Sequence, residues 1–266
     1  MMTNPVTIVT AFFDIGREQR GDGRSVDEYK EWLKRTLQLN CNLFIVTEEK
    51  FRDFFIAHRP VTYTTALKII DFKDSYYYQH RDAMKTILDD PVYQSRIANP
   101  NRVECVLPEY NIIQYSKFHY LQMATEENPF QSTSFFWMDA GCSRFFMDVN
   151  VSVSYPSPAI HEFLKQNPDK FIIQKRHDLE YYPIDDEFVW KSANLVYGTM
   201  FGGGKDIVLK IAELVETVFH EKMLAKNNVN NEQLALAMVW KEYPDYFTLV
   251  DNVYGKHLSL FKLMSL

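Results

Sequence analysis

VTIVTAFF at 6–13, VDEYKEWLKRTLQL at 26–39, NLFIVT at 42–47 and EEKFRDFFIAHR at 48–59 alternate strand-like with helix-like patterning. The first and third are short continuous apolar runs, as in strands covered on both faces. The second repeats Tyr29, Trp32, Leu33 and Leu37 along one helical face. Ser25 with Glu28 three residues later forms a capping-box signature just before it. This βαβα order predicts a doubly wound α/β unit built on a parallel sheet.

Further along, Pro108 opens PEYNIIQYSKFHYLQMATEEN, a helix by spacing, which leads into a buried strand SFFWMD at 134–139. A helix near 161–166, strands FIIQ at 171–174 and NLVYGTMF at 194–201, and a long amphipathic helix after Gly202-Gly203-Gly204 follow. NNEQLALAMVWKEY at 230–243 reads as another helix, and YFTLV at 246–250 as a last strand. The region 63–101 has the weakest pattern; its cluster Tyr76, Tyr77, Tyr78 either packs a helix or lines a pocket. No repeat, linker or charge block divides the 266 residues, so 1–266 reads as a single domain.

An apolar share of 46% with only 9 glycines and 11 prolines excludes a disordered or collagen-like chain. The net charge of −6, with basic residues scattered, argues against nucleic-acid binding. It leaves room for a small anionic ligand, which needs only a few local donors. Cys41, Cys105 and Cys142 are spaced for neither a disulfide framework nor a CxxC metal site, which predicts a reducing, cytoplasmic setting. The apolar start lacks a preceding basic region and reads as a strand, not a signal peptide, and no run approaches the ~18 apolar residues of a membrane span.

Familiar motifs fail. A Walker A loop would need Gly at Thr199 and a hydroxyl at Asp206; a zinc-protease helix would need His at Lys165 or Leu224; GxSxG fails at Phe145; GxGxxG is absent.

What remains is FFWMDAGCSRF at 135–145, where four large apolar residues end at Asp139. A carboxylate at the C-terminal end of a buried strand lies where open α/β sheets bind ligands, or it caps a turn before Gly141. Gly202, Gly203 and Gly204 either present backbone N–H groups to a ligand oxygen or form a mobile turn. Asn231 can cap the following helix, and Glu232 is then either an ordinary first-turn acid or a base at the mouth of a site. His257 is either a surface histidine or, with Asp139, part of a Mn²⁺ shell.

IVTAFFDIGR, PEYNIIQYSKFHYL, FFWMDAGCSRF, FGGGK and NNEQ, in that order, resemble the HtrL/YibB family of glycosyltransferase-like proteins along nearly the whole chain. The resemblance implies a GT-A type fold: one α/β domain with a mostly parallel sheet, a nucleotide-binding half at about 1–141 and an acceptor half at about 142–266. In that type a DxD motif holds a divalent metal on the donor diphosphate and a later His often completes the shell. Asp139 corresponds to its first Asp, and Gly141 departs from the last. The implied cofactor is Mn²⁺ or Mg²⁺ on Asp139 and His257.

By the same carry-over Thr10, Ala11, Phe12 and Arg17 meet the nucleotide, with Asp139, and Lys117 either contacts phosphate or is a plain solvent-facing lysine. Gly141, Gly202, Gly203, Gly204 and Gln233 would face the sugar or acceptor. Glu232 would take the proton of the acceptor hydroxyl, with inversion. The implied partners are a nucleotide-sugar, in particular a UDP-sugar, and a glycan or glycoconjugate acceptor. Two rivals are a binding module that kept the fold and lost catalysis, and a glycoside hydrolase using the acids of DLEYYPIDDE at 178–187.

Overall fold

The computed structural model describes residues 4–146, 149–191, 193–253 and 258–266. Its strands are β1 (Val6–Phe12), β2 (Asn42–Thr47), β3 (Thr65–Ile69), β4 (Ser134–Met138), β5 (Phe171–Lys175), β6 (Val196–Gly204) and β7 (Phe247–Val250). All seven share one sheet in the order β3-β2-β1-β4-β6-β5-β7. β1 runs parallel to β2 and β4, β2 to β3, and β5 to β7; β6 alone runs against its neighbours β4 and β5. The mostly parallel α/β architecture expected from the alternating pattern is thus present.

Period-2 alternation sorts the central strands onto two cores. Val9 and Ala11 of β1, Phe44 and Val46 of β2, and Phe135 and Trp137 of β4 face the helices Pro108–Glu127 and Lys205–Val218. Ile8, Leu43, Ile45, Phe136 and Met138 face the other way, toward Leu33, Leu37, Phe55, Leu164 and Phe261. Both faces being covered explains why these strands read as unbroken apolar runs. The helix Val26–Thr36 starts at the expected capping box: Ser25 Oγ accepts from the Glu28 N–H at 3.1 Å, and Glu28 Oε2 accepts from the Ser25 N–H at 2.8 Å. Asn231 likewise caps the helix Glu232–Glu242 by accepting from the Gln233 N–H at 3.0 Å.

The expected glycine turn at 202–204 is a strand. β6 continues through Gly204, with Gly202, Gly203 and Gly204 opposite Phe136, Phe135 and Ser134. A Cβ at Gly202 would stand 2.1 Å from the Phe135 carbonyl oxygen, one at Gly203 2.4 Å from that of Lys170, and one at Gly204 2.2 Å from that of Pro168. The neighbouring backbones leave no room for a side chain. Because β6 is antiparallel, its glycine end lies beside the start of β4, at the opposite end of the sheet from Asp139. Gly202→Ala is therefore expected to lower stability by about 1–3 kcal/mol through overpacking, read as a drop in urea midpoint. A loss of ligand affinity at unchanged midpoint would place the glycines in a site after all.

In the segment 63–101, β3 is an edge strand with exposed and half-exposed residues only, so no clean alternation marks it. Tyr77 is buried against Tyr115 and Phe219, with ring centroids at 5.4 and 5.0 Å, so the tyrosine cluster packs through its middle member. No described helix is long and apolar enough to cross a membrane.

Candidate active site

β1 leads to β2 on one side, while its other neighbour β4 pairs onward with β6, so the strand order reverses between β1 and β4. Open α/β sheets leave a crevice at the C-terminal ends of such strands. A cavity of about 370 Å³ lies there, walled by 11–15 at and just after the end of β1, Trp137 and 139–141 of the β4 end, and Tyr197, Gly198 and Thr199 of the incoming β6. Among the residues expected in a site, Ala11, Phe12, Arg17, Lys117, Asp139, Gly141 and Gln233 line it.

Asp139 closes the turn with its backbone and turns its side chain toward the cavity. Its carbonyl accepts from the Cys142 N–H at 2.8 Å and closes the turn. Its Oδ1 accepts from Trp137 Nε1 at 2.7 Å and pairs with Lys117 Nζ at 3.0 Å, and the side chain is 33% exposed on the cavity side. Two donors thus fix the carboxylate while part of it stays open to a ligand.

Lys117 is not solvent-facing: its side chain is 1% exposed. Its ammonium donates to the Gly198 carbonyl at 2.9 Å and to Glu232 Oε1 at 2.7 Å besides pairing with Asp139. An ammonium has three protons, so this set uses them all and leaves none for a phosphate. Glu232 stands behind it, 0% exposed and outside the cavity wall, at the first position of its helix. This arrangement does not give it contact with an acceptor hydroxyl, because the buried Lys117 intervenes. The close approach depends on Gly198, where a Cβ would stand 2.1 Å from Glu232 Oε1.

Two carboxylates share one ammonium, and of the two Glu232 is the one fully removed from water. Burial pushes the Glu232 carboxyl up to about 7, against the lowering influence of Lys117, and Asp139 adds to the rise. Its Oε2 is buried with no hydrogen-bond partner among the described residues. Because the folded value exceeds the unfolded one, the folded state binds the extra proton between them. The group's contribution to stability is therefore most favourable at pH 4 and falls as pH rises to about 7. Glu232→Gln is expected to raise the melting temperature relative to the parent at pH 8 and to lose that advantage by pH 5. An advantage independent of pH would mean that Glu232 is not the titrating group.

Arg17 shapes the wall but is committed. Nε and Nη2 grip Asp22 at 2.5 and 2.7 Å, Nη1 donates to Tyr29 Oη at 2.5 Å, and the guanidinium lies over the Tyr110 ring, 4.8 Å from its centroid. Thr10 is fully buried inside β1 and does not reach the cavity. Gly202, Gly203 and Gly204 are at the far end of the sheet, and His257 lies outside the described residues. The acids of 178–187 do not line the cavity; Asp178 pairs with Lys175 at 2.6 Å, Asp186 with Lys222 at 2.9 Å and Glu187 with Arg96 at 2.8 Å.

The metal shell implied for Asp139 and His257 falls partly outside the described residues. No group of three His, Cys, Asp or Glu among them could hold a metal ion, and Asp139 Oδ1 is already taken by two N–H donors.

The sequence pattern of HtrL_YibB, described as a bacterial protein of unknown function, matches residues 4–265. The chain belongs to this family. Protein HtrL of Escherichia coli (strain K12) is 24% identical over 280 residues, covering 98% of this chain and 93% of that protein. Looser likenesses join the HtrL_YibB chain to solved structures. Mouse xyloside xylosyltransferase 1 aligns at a TM-score of 0.44 and 10% identity, over 92% of this chain and 84% of that one. A glycosyltransferase involved in glycosylation of the major capsid of PBCV-1 gives 0.42 and 12%, over 93% and 82%. The glycosyltransferase GlyE of Streptococcus pneumoniae TIGR4 gives 0.45 and 8%, over 94% of this chain and 46% of that one.

In this HtrL_YibB chain the cavity also holds residues that motif reading missed: Arg24, Arg144, Arg176, Tyr29, Tyr110, Trp137 and Gly198. Arg144 was within reach, three positions after Gly141 in the quoted core. Arg24 and Arg176 carry no local signal, since only the fold brings them to one place.

Proposed function

We propose that this HtrL_YibB protein is a glycosyltransferase that moves a sugar from a nucleotide-sugar, in particular a UDP-sugar, to a hydroxyl of a glycan acceptor. The observation that carries the reading is the Asp139 carboxylate, fixed by Trp137 and Lys117 and opening into a switch-point cavity that arginines also line. A nucleotide-sugar presents a diphosphate, sugar hydroxyls and a flat base. Guanidinium groups, a carboxylate and the rings of Tyr29 and Tyr110 are chemically matched to these in turn. The family resemblance in the sequence motifs supports the same reading.

In this reading Asp139, which lines the cavity, receives the acceptor proton in place of Glu232, which does not line it. In this scheme the acceptor oxygen bonds to the anomeric carbon as its proton passes to Asp139. The bond from that carbon to the donor diphosphate breaks on the opposite face, which inverts the centre. Lys117 and Glu232 act behind Asp139 as positioning residues: the ammonium holds Oδ1, and Glu232 holds the ammonium.

A thermal-shift panel of UDP, GDP, CDP and UDP-sugars, each with Mn²⁺ and with EDTA, tests the donor half. One nucleotide class is expected to stabilise the fold, by about 2.7 kcal/mol at a hundred times its dissociation constant. The transfer half is tested by release of nucleoside diphosphate when a glycan acceptor is added. Stabilisation without release would favour a binding module of the same fold, and a flat panel would overturn the reading.

A further inference from the structure

We infer that Arg144 anchors a site for the diphosphate of the donor that works without a divalent cation, in space that a side chain at position 141 would otherwise fill. The inference rests on the transferase reading for the identity of the ligand, and on the geometry for the site.

Arg144 belongs to the short 3-10 turn Cys142–Phe145 directly after the β4 end. Its Nε donates to the Gly141 carbonyl at 2.9 Å, and its guanidinium lies over the Trp32 ring, 4.3 Å from the centroid. These contacts fix the planar fork at the cavity wall. Among the described residues no carboxylate pairs with it, and no partner accepts from Nη1 or Nη2. The positive charge is poorly placed as it stands: burial lowers its pKa, and Arg24 and Arg17 add repulsion that Tyr29 and Asp139 only partly oppose. A held guanidinium that pairs with no described carboxylate and faces a cavity beside a second one suits an anion with several oxygens, because the fork matches two of them at once.

Gly141 makes this possible. A Cβ there would stand 3.2 Å from Arg144 Nη2 and 3.2 Å from Trp32 Cε3, so the guanidinium packs tightly against the place where a side chain at 141 would begin. An acid at that position would meet the guanidinium and neutralise it. The Asp139–Gly141 pair therefore offers a cation one carboxylate already engaged by Lys117, while Arg144 offers phosphate oxygens Nη1 and Nη2, from which no described residue accepts. On this view Arg144, with Arg24 nearby, takes up the charge that collects on the diphosphate when its bond to the sugar breaks.

The test is calorimetric titration of the full chain with inorganic pyrophosphate and with UDP, in EDTA and in Mn²⁺. Both are expected to bind in EDTA, more weakly at high salt. Arg144→Gln is expected to weaken binding by about ten- to hundredfold, and Arg144→Lys to restore only part of it. Gly141→Asp supplies a second route: its carboxylate is expected to capture the guanidinium and weaken binding similarly, with Arg144 intact. Melting curves within a few degrees of the parent show that the variants are folded. Binding that needs Mn²⁺, or that Arg144→Gln leaves unchanged, overturns the site, and so does failure of pyrophosphate to bind. UDP bound only with Mn²⁺ would do so while leaving the transferase reading standing. Metal-free binding through Arg144 with no transfer from any donor would keep the site and end that reading.

Discussion

Replacing Lys117 by methionine is expected to cost about 3–5 kcal/mol of stability at pH 8, because it strips a paired ammonium from a buried carboxylate. The side chain volume is nearly kept, so the loss is electrostatic. Glu232 is fully buried and loses its ion partner, while the Gly198 carbonyl loses a donor. Asp139 meets water on its cavity side and keeps its bond from Trp137, so it supplies the smaller share. Since the Glu232 carboxyl already sits at about 7, it can escape by taking a proton, and the deficit is expected to narrow at pH 5. Urea denaturation at the two pH values reads both effects. A variant as stable as the parent at pH 8 would mean that Glu232 is neutral in the native protein there.

Asp139→Asn is expected to reduce transfer by about 10²–10⁴-fold with a melting temperature close to that of the parent. The amide oxygen can still accept from Trp137 and Lys117, so the wall keeps its shape; the group that receives the acceptor proton is gone. Steady-state kinetics separate two outcomes. A fall in kcat with donor affinity kept assigns Asp139 to the chemical step, whereas equal loss of both makes it a binding residue.

The strands and helices that read clearly in the sequence are those whose burial is simple. β1 and β2 are buried at every position, and the helix Val26–Thr36 carries its capping box in adjacent letters. β3 was hidden because an edge strand buries little, and the end of β6 because glycine in sequence reads as a turn. Only the backbones of 135, 168 and 170, distant in the chain, show why glycine is needed there. Asp139 was legible from the abrupt end of an apolar run. Lys117 and Glu232 were each noticed, but their pairing was not, since it spans 115 positions and depends on Gly198.

The lone antiparallel strand also divides the labour of the cavity wall. β5 and β6 are joined by the long excursion 176–195, which is pinned underneath by Leu179, Phe188, Val189 and Trp190 and lends Arg176 and Asn194 to the cavity. Asp139, Lys117 and Glu232 all lie outside it. Exchange of this excursion between homologues can thus redraw which molecules enter while the charged trio stays in place, making 176–195 the natural unit for chimeras.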